Sequence, residues 1–413
     1  MTKKFLLICT AIFFISGIIW ANPEKKTLRV GGFDREYLVY TPQNIHKEKA
    51  DGIIVCLHGF GRTMNDFFEG YNISYVADAL NLIIAAPQAL PEKDPKVILQ
   101  ASILSAIADG QLSLNSVWGC GLSVKATTIL GTLLEEELNK DVNDVDFINK
   151  IIDDVLQDFS LPPENIFLLG TSMGGYMAYQ FALMSGDRLS GLVSIAGSMG
   201  LSIKVPDYST KVPICDFHSI TDEVVPYNGS MSFTSELLPL PVTVNLAKGK
   251  PAVIKYWAET NLAGTPETEP VENYPSTNGI TVEKITYPDP NNEVIHYKLN
   301  GSSHSYFFKK ENGDCMDHAE EIAKFIFKHI SGGDSKIQNI AVNKVFFHPN
   351  PVEDNIYFNT MNGIVSIFDI SGKKIFEQSF LSGQSDISFL KSGIYIIRVQ
   401  SGNTVQVGRM IKR

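Results

Sequence analysis

Continuous apolar runs recur between residues 52 and 299 and are typical of strands that are buried on both faces of a sheet. The segments between them carry apolar residues every three or four positions, which predicts helices with one buried face. Strands and helices that alternate in this way predict an α/β protein with a mostly parallel sheet. The predicted strands are 52–57, 82–86, 166–169, 191–196, 212–217, 280–287 and 294–299, and the predicted helices are 71–80, 144–159, 252–262, 316–330 and one that ends at 185.

Two parts of this region have a different pattern. Residues 28–40 alternate around Gly31 and Gly32, which predicts a hairpin at an edge of the sheet. Residues 88–143 show neither a helical nor a strand period, so they are predicted to be irregular excursions over the mouth of the sheet.

After residue 330 the pattern changes to short β runs with turns between them. Residues 331–335 read Ser-Gly-Gly-Asp-Ser, which is typical of a linker. Seven short strands without a helix predict a small all-β sandwich. The predicted organisation is an α/β domain over 22–332, a linker over 333–340 and a β-sandwich over 341–413.

The first residues have the pattern of a secretory signal peptide, predicted over 1–21. Lys3 and Lys4 precede a mostly apolar run that ends at Trp20, and Ala21 provides a small residue for cleavage. The run is short for a membrane span, and no later stretch is long and apolar enough, so we expect a secreted chain with no transmembrane segment in its mature form.

The charge of the chain narrows the range of partners. Of the net charge of −10, the signal contributes +2 and residues 341–413 contribute +3, which leaves −15 on residues 22–340. An acidic body of this kind disfavours nucleic acid and anionic membranes as partners.

The cysteines give no sign of a metal site. Cys56 and Cys215 lie in apolar runs, which predicts core packing, whereas Cys120 and Cys315 lie in loop-like sequence and leave open whether they pair. There is no C-x-x-C and no His/Cys cluster at ligand spacing, so neither a metal nor a cofactor is predicted.

The candidate chemistry is concentrated at residues 166–179, where an apolar run ends in Gly-Thr-Ser-Met-Gly and a helical pattern follows. This is the strand, sharp turn and helix of the nucleophile elbow of an α/β-hydrolase fold, with Ser172 at its apex. Residues 170 and 174 are glycines because strand and helix pass closely there. The elbow predicts Ser172 as a nucleophile.

A nucleophilic serine needs a base and an acid that orients the base, and in this fold they follow the serine in the order acid, histidine. His304 comes after the last predicted strand and before the last helix, which makes it the candidate base. Asp222 follows the strand that ends at 217 and is the first choice for the acid. Asp216 and Glu223 are its rivals.

The segment after the first inner strand reads His58-Gly59-Phe60-Gly61, where the second donor to an oxyanion is expected. We predict that the N–H groups of Phe60 and Met173 form the oxyanion hole and that His58 packs within its loop. Trp118 has two readings, a core residue or a wall of a substrate pocket.

Together these motifs resemble the polyhydroxybutyrate depolymerase and feruloyl esterase family of secreted α/β-hydrolases. The matching pieces are LHGFGRTMNDF, LLGTSMGGYMAYQFAL, DFHSITDEVVPYNG, KYWAETN and KLNGSSHSYFF, in the same order between residues 28 and 330. By position the resemblance implies Ser172, Asp222 and His304 as the triad. The sequence departs from the family pattern at Ser305-Tyr306 and in an apparent insertion at 230–250, and both changes affect the pocket wall.

The tail is similar to the C-terminal sorting domain of type IX secretion substrates, through HPNPVEDNIYF, IVSIFDISGKKI, LKSGIYIIRVQ and the terminal MIKR. The resemblance implies the type IX machinery as a partner and an extracellular or cell-surface location.

The expected function is a serine carboxylic-ester hydrolase acting on feruloyl or acetyl groups of plant polysaccharide, or on a polyester. The alternatives are a catalytically idle binding protein on a hydrolase scaffold and a serine peptidase of the same fold.

Overall fold

The computed structural model describes most of the chain and divides it into two compact units between Ile330 and Ser331. The predicted signal peptide (1–21) and linker (333–340) lie outside the described residues. No helix among the described residues is long and apolar enough to cross a membrane. The described residues are 23–42, 50–71, 73–107, 113–207, 210–234, 240–330, 347–348, 352–358, 360–368, 374–401 and 404–413.

A ten-stranded sheet forms the centre of the first unit, and its six inner strands are parallel to one another. Continuous apolar sequence places strands such as β3 (Gly52–Leu57) at the centre, because every residue of β3 is buried. In spatial order the other strands are β1 (Glu24–Val30), β2 (Phe33–Tyr40) and β4 (Leu82–Pro87) before β3, and β7 (Ile166–Thr171), β8 (Gly191–Ile195), β9 (Ile214–Ser219), β14 (Val294–Asn300), β13 (Thr281–Tyr287) and β12 (Glu267–Pro270) after it. The predicted edge hairpin is β1–β2.

Helices cover both faces of this sheet. One hydrophobic cluster contains buried residues of α4 (Asp144–Phe159), α5 (Met173–Ser185) and α6 (Lys250–Asn261). The second contains those of α2 (Ile73–Leu80) and α7 (His318–His329). The prediction of an α/β sheet flanked by helices is therefore confirmed. The other helical elements of this unit are α1 (Asp66–Glu69), α3 (Pro95–Ile107) and the 3₁₀ turns Gly186–Arg188 and Lys310–Asn312.

The prediction that 88–143 is irregular is wrong. This segment contains α3 and an antiparallel hairpin, β5 (Ser123–Thr128) and β6 (Gly131–Glu137). The hairpin joins β10 (Ser230–Phe233) and β11 (Val242–Asn245) in a separate four-stranded sheet with the order β10-β11-β5-β6. Residues 230–250, which were expected to be an insertion, therefore pair with part of the segment 88–143, which was expected to be irregular. In this pairing β11 lies next to β5, with Thr243 opposite Thr127.

The described residues of the second unit form seven strands in two sheets, which agrees with the prediction. Its hydrophobic cluster includes buried residues of both sheets, such as Ile356 from one and Val365 and Ile397 from the other. One sheet has the order β15 (Phe347–His348), β16 (Asn355–Phe358), β19 (Gln384–Asp386), and the other has the order β18 (Lys374–Phe380), β17 (Gly363–Phe368), β20 (Gly393–Ser401), β21 (Thr404–Lys412).

Candidate active site

Ser172 stands between β7 and α5, at the carboxyl edge of the central sheet. Its backbone has φ 52° and ψ −121°, a conformation that non-glycine residues rarely adopt. A Cβ added to Gly170 would overlap the carbonyl of Gly174, and a Cβ added to Gly174 would overlap the carbonyl of Leu57. The strand, sharp turn and helix are thus formed as predicted, and both glycines are required by the close approach of the backbones.

A chain of hydrogen bonds joins Ser172 to two residues that follow later strands. His304 Nε2 lies 2.9 Å from Ser172 Oγ, and His304 Nδ1 lies 2.8 Å from Asp222 Oδ2. Asp222 follows β9 and His304 follows β14, and these strands are parallel neighbours in the sheet. Because the carboxyl ends of parallel strands meet at one edge, residues far apart in sequence come together there.

Several donors stabilise Asp222 as a carboxylate. Its Oδ1 accepts hydrogen bonds from the N–H groups of Val224 and Val225 at 2.9 and 2.7 Å, and its Oδ2 also lies 3.4 Å from His218 Nε2. Burial by itself would raise the pKa of Asp222, but hydrogen bonds from His218 and His304 outweigh burial and hold this pKa well below its usual range. Asp222 is therefore ionised at neutral pH.

The rival acids have other partners. Asp216 lies within β9 and binds Lys250 Nζ at 2.7 Å and His296 Nδ1 at 2.8 Å. The carboxylate of Glu223 accepts a hydrogen bond from the backbone N–H of His304 at 3.1 Å. Asp222 is left as the carboxylate that faces the His304 ring.

The contact of Glu223 with the His304 backbone predicts a measurable effect on rate. We expect Glu223→Ala to lower kcat/KM for an ester about three- to tenfold, because one hydrogen bond of about 1 kcal/mol no longer holds the His304 loop. Glu223→Gln keeps an acceptor oxygen and is expected to stay within about twofold of the parent. Steady-state kinetics of both variants test this, and equal losses in the two would contradict it.

Beside the site, Asp216 and Lys250 form an ion pair whose side chains are both fully buried. We expect Asp216→Ala to lower the free energy of unfolding by about 3–5 kcal/mol, because it leaves a buried ammonium group without its partner. The double variant Asp216→Ala/Lys250→Met removes both charges and should regain a large part of that loss. Urea unfolding of the two variants measures it, and a double variant no more stable than the single one would contradict the prediction.

The two predicted oxyanion donors belong to segments that meet at Ser172. Met173 is the first residue of α5, so its N–H has no acceptor within the helix. Phe60 lies in the loop after β3, and a Cβ added to the adjacent Gly59 would come within 3.3 Å of the Ser172 Cβ. No described residue accepts a hydrogen bond from the Phe60 N–H. Both N–H groups are therefore available to an anion.

His58 stabilises the loop that carries Phe60. Its Nδ1–H donates to the carbonyl of Gly59 at 2.8 Å, and its Nε2 accepts from the N–H of Ala89 at 3.1 Å. Burial lowers the pKa of His58 to about 4, so the ring is neutral at neutral pH. His58 is a packed, hydrogen-bonded residue of the loop, as predicted.

The assignment of Trp118 to the wall of a substrate pocket is wrong. Its side chain is 0% exposed. The indole N–H donates to the carbonyl of His58 at 2.8 Å, and the two rings lie 4.9 Å apart. Trp118 is the core residue of the other reading, and it supports the Phe60 loop from within.

All four cysteines of the described chain are free and buried. Cys120 and Cys315 belong to the hydrophobic clusters on opposite faces of the sheet, so the pairing left open by the sequence is not formed. Cys56 and Cys215 lie in β3 and β9, as predicted. Among the described residues, no group of three or more His, Cys, Asp or Glu side chains is placed to hold a metal.

A serine on an elbow, joined through a histidine to a carboxylate at the edge of a mostly parallel sheet, defines the α/β-hydrolase class. The family described as phospholipase/carboxylesterase matches residues 133–244, and the secretion system C-terminal sorting domain matches residues 346–413. The first match supports the predicted class, a carboxylic-ester hydrolase, and the second agrees with the predicted C-terminal sorting domain.

A relative described as "Putative esterase NocK", from Nocardia uniformis subsp. tsuyamanensis, is 22% identical over 172 residues. The match covers 40% of this chain and 48% of the relative, so the chain spans about half the length of the curated protein it matches. Many solved structures are similar to this chain at low identity. The acetyl xylan esterase from Aspergillus awamori is 12% identical with a TM-score of 0.46, over 74% of this chain and 99% of that one. The Bacillus cereus carboxylesterase is 10% identical with a TM-score of 0.40, over 71% and 94%.

Proposed function

We propose that this protein hydrolyses carboxylic esters with Ser172 as nucleophile, His304 as general base and Asp222 as the orienting acid. The observation that carries the proposal is the hydrogen-bonded chain from Ser172 Oγ through His304 to Asp222, at 2.9 and 2.8 Å. A surface histidine or a structural serine has no need of this geometry, whereas proton removal from a hydroxyl requires it.

The reaction proposed from this geometry has two halves. Ser172 Oγ attacks the ester carbonyl while His304 Nε2 takes the hydroxyl proton, and the alcohol leaves with that proton. Water then attacks the acyl-enzyme with His304 again as base, which releases the acid and restores Ser172. In both halves the N–H groups of Phe60 and Met173 would bind the oxyanion, and Asp222 would stabilise the imidazolium.

As substrate we propose feruloyl or acetyl esters of plant polysaccharide, with a polyester as the other candidate. The support is the resemblance of five motifs to feruloyl esterases and polyhydroxybutyrate depolymerases, together with the sorting tail, which favours a polymer met outside the cell. We propose residues 22–332 as the catalytic domain and 341–413 as the sorting domain, with release or attachment at the cell surface after export.

Turnover of p-nitrophenyl acetate, methyl ferulate and short hydroxybutyrate oligomers, beside a matched anilide, tests the proposal. We expect ester turnover at least 100-fold above anilide turnover, and the ratio among the three esters identifies the acyl group. An anilide rate equal to the ester rate would favour the peptidase. A folded protein without turnover of any ester would favour the idle binding protein.

A further inference from the structure

His218 lies on β9, one residue before the end of that strand, and it is 1% exposed. It is separate from the three residues proposed to act on the ester. Its ring Nε2 lies 3.4 Å from Asp222 Oδ2, on the same carboxylate oxygen that faces His304. A buried histidine thus shares the proposed catalytic acid with the proposed base.

Both ring nitrogens of His218 face oxygens that can only accept a hydrogen bond. Nδ1 lies 3.1 Å from the carbonyl oxygen of Gly197, and Nε2 lies 2.8 Å from the carbonyl oxygen of Val225. A neutral imidazole carries one proton, so either tautomer would point a lone pair at a carbonyl oxygen within a buried site. Only the doubly protonated ring satisfies both contacts.

The other fully buried histidines have different surroundings. Nε2 of His58 accepts from the N–H of Ala89, and Nδ1 of His318 accepts from the N–H of Phe308. His296 Nε2 faces the hydroxyl of Tyr227, which can donate to it. The rings of His58 and His296 can make all of these contacts while neutral. His318 also accepts its hydrogen bond as a neutral ring, and its buried Nε2 has no hydrogen-bond partner among the described residues. The ring of His218 cannot make both of its contacts while neutral.

We propose that His218 is a permanent imidazolium and acts as a positioning residue. It would fix the Asp222 carboxylate and reduce the electrostatic stabilisation that Asp222 gives to the protonated ring of His304. Its two N–H groups would anchor it between the loops after β8 and β9, and its charge would lie beside Asp222. A carboxylate shared between two imidazole rings attracts the proton on His304 less strongly than one that faces His304 alone.

The charges around His218 fit this assignment. Asp216 on the same strand is already paired with Lys250 from α6 and with His296 from β14. The rings of Tyr227 and His218 are nearly perpendicular, with the centroids 5.7 Å apart. Asp222 has no salt bridge to a lysine or arginine among the described residues, and a protonated His218 gives it a compensating charge.

The pH dependence of the rate follows from the sign of this charge. Substituting His218 with glutamine keeps a neutral donor and removes the cation, so the protonated form of His304 becomes more favourable and the base is lost at a higher pH. We expect the acid limb of kcat/KM for an ester to move upward by about one pH unit, because loss of a nearby positive charge in a partly buried site favours protonation of the His304 ring. This effect rests on the proposed esterase function.

The direct test is ¹⁵N NMR of the ring nitrogens in the full chain labelled at histidine, with His218 assigned by difference from His218→Gln. We expect both nitrogens of His218 to carry protons at pH 7. A neutral tautomer at pH 7 would overturn the proposal, and it would do so whether or not the protein hydrolyses esters. If His218→Gln does not fold, the ring signals of His218 can be assigned from two other variants. Substitution of Asp222 changes the signals of both His218 and His304, and substitution of His304 identifies which of the two belongs to His304.

The kinetic test compares His218→Gln with His318→Gln, a matched change in a buried neutral histidine that packs among Phe217, Phe307 and Phe308. An upward shift of the acid limb in the first variant alone is the expected result. Equal profiles in the two variants would show that His218 has only a packing role and would overturn the positioning role.

Discussion

Ser172→Ala is expected to lower the rate of ester hydrolysis by a factor on the order of a thousand or more, while the fold stays intact. The methyl group of alanine fits the turn, but no oxygen is left to attack the carbonyl. His304→Ala should cost a similar factor, because the hydroxyl then lacks the base that lies 2.9 Å away. Initial rates on p-nitrophenyl acetate measure both losses.

The two losses are not expected to add. The serine and the histidine act as a unit, so the Ser172→Ala/His304→Ala double variant should be about as slow as either single variant. Circular dichroism provides the control for folding. A double variant slower than both by the product of the single losses would contradict a shared role, and a His304→Ala variant with parental rate would exclude His304 as the base.

Gly174→Ala is expected to destabilise the hydrolase unit by more than about 3 kcal/mol, and so to prevent folding at 37 °C or lower the melting temperature sharply. The added Cβ would overlap the backbone carbonyl of Leu57 at the end of β3, and backbone in the middle of a sheet cannot move aside as a side chain can. Thermal unfolding followed by circular dichroism measures the change.

Gly70→Ala is the matched control for that substitution. A Cβ at Gly70 would meet its nearest neighbour, the carbonyl oxygen of Asp66, at 3.4 Å, an ordinary contact distance, and the φ of −117° suits any residue. We expect this variant to remain within about 0.5 kcal/mol of the parent. Similar stability of Gly174→Ala and Gly70→Ala would mean that strand and helix do not approach as closely as the structure has them.

The central sheet and its helices are predicted well because each element carries its own pattern of apolar residues. Every residue of β3 and β4 is buried, so the strands read as continuous apolar runs, and the stripe on α4 predicts 144–159, the bounds that the structure has. The elbow is equally readable, since its glycines are a local steric requirement. Most of the errors at element ends are one or two residues, where capping decides the boundary.

The second sheet could not be predicted because its pairing is not local. β5 and β11 are separated by more than a hundred residues, and both are short with no more than half of their residues apolar. Only the contact between them gives either strand a buried face, through a small cluster of Ala126, Val242 and Val244. The pattern of residues along the chain contains no information about that contact between distant segments.

The same limit applies to single residues near the site. Trp118 reads equally well as core or pocket until the carbonyl of His58 is placed against its indole. The sequence gives only a weak indication of a role for His218. It is a polar residue two positions after Asp216 in the buried strand β9, just before the loop that contains Asp222. The burial of His318 also has no local signal, because aromatic side chains such as Phe307 and Phe308 cover it only in the folded chain.

The most direct test of the proposed mechanism is the site of covalent capture. The full chain is treated with a fluorophosphonate, digested and analysed by mass spectrometry, beside Ser172→Ala and His304→Ala. We expect one adduct per chain, on the peptide that contains Ser172, absent in Ser172→Ala and strongly slowed in His304→Ala, together with loss of ester turnover in step with labelling. A folded protein that takes no label at Ser172, or that keeps full turnover once Ser172 is labelled, would contradict the assignment of Ser172 as the nucleophile.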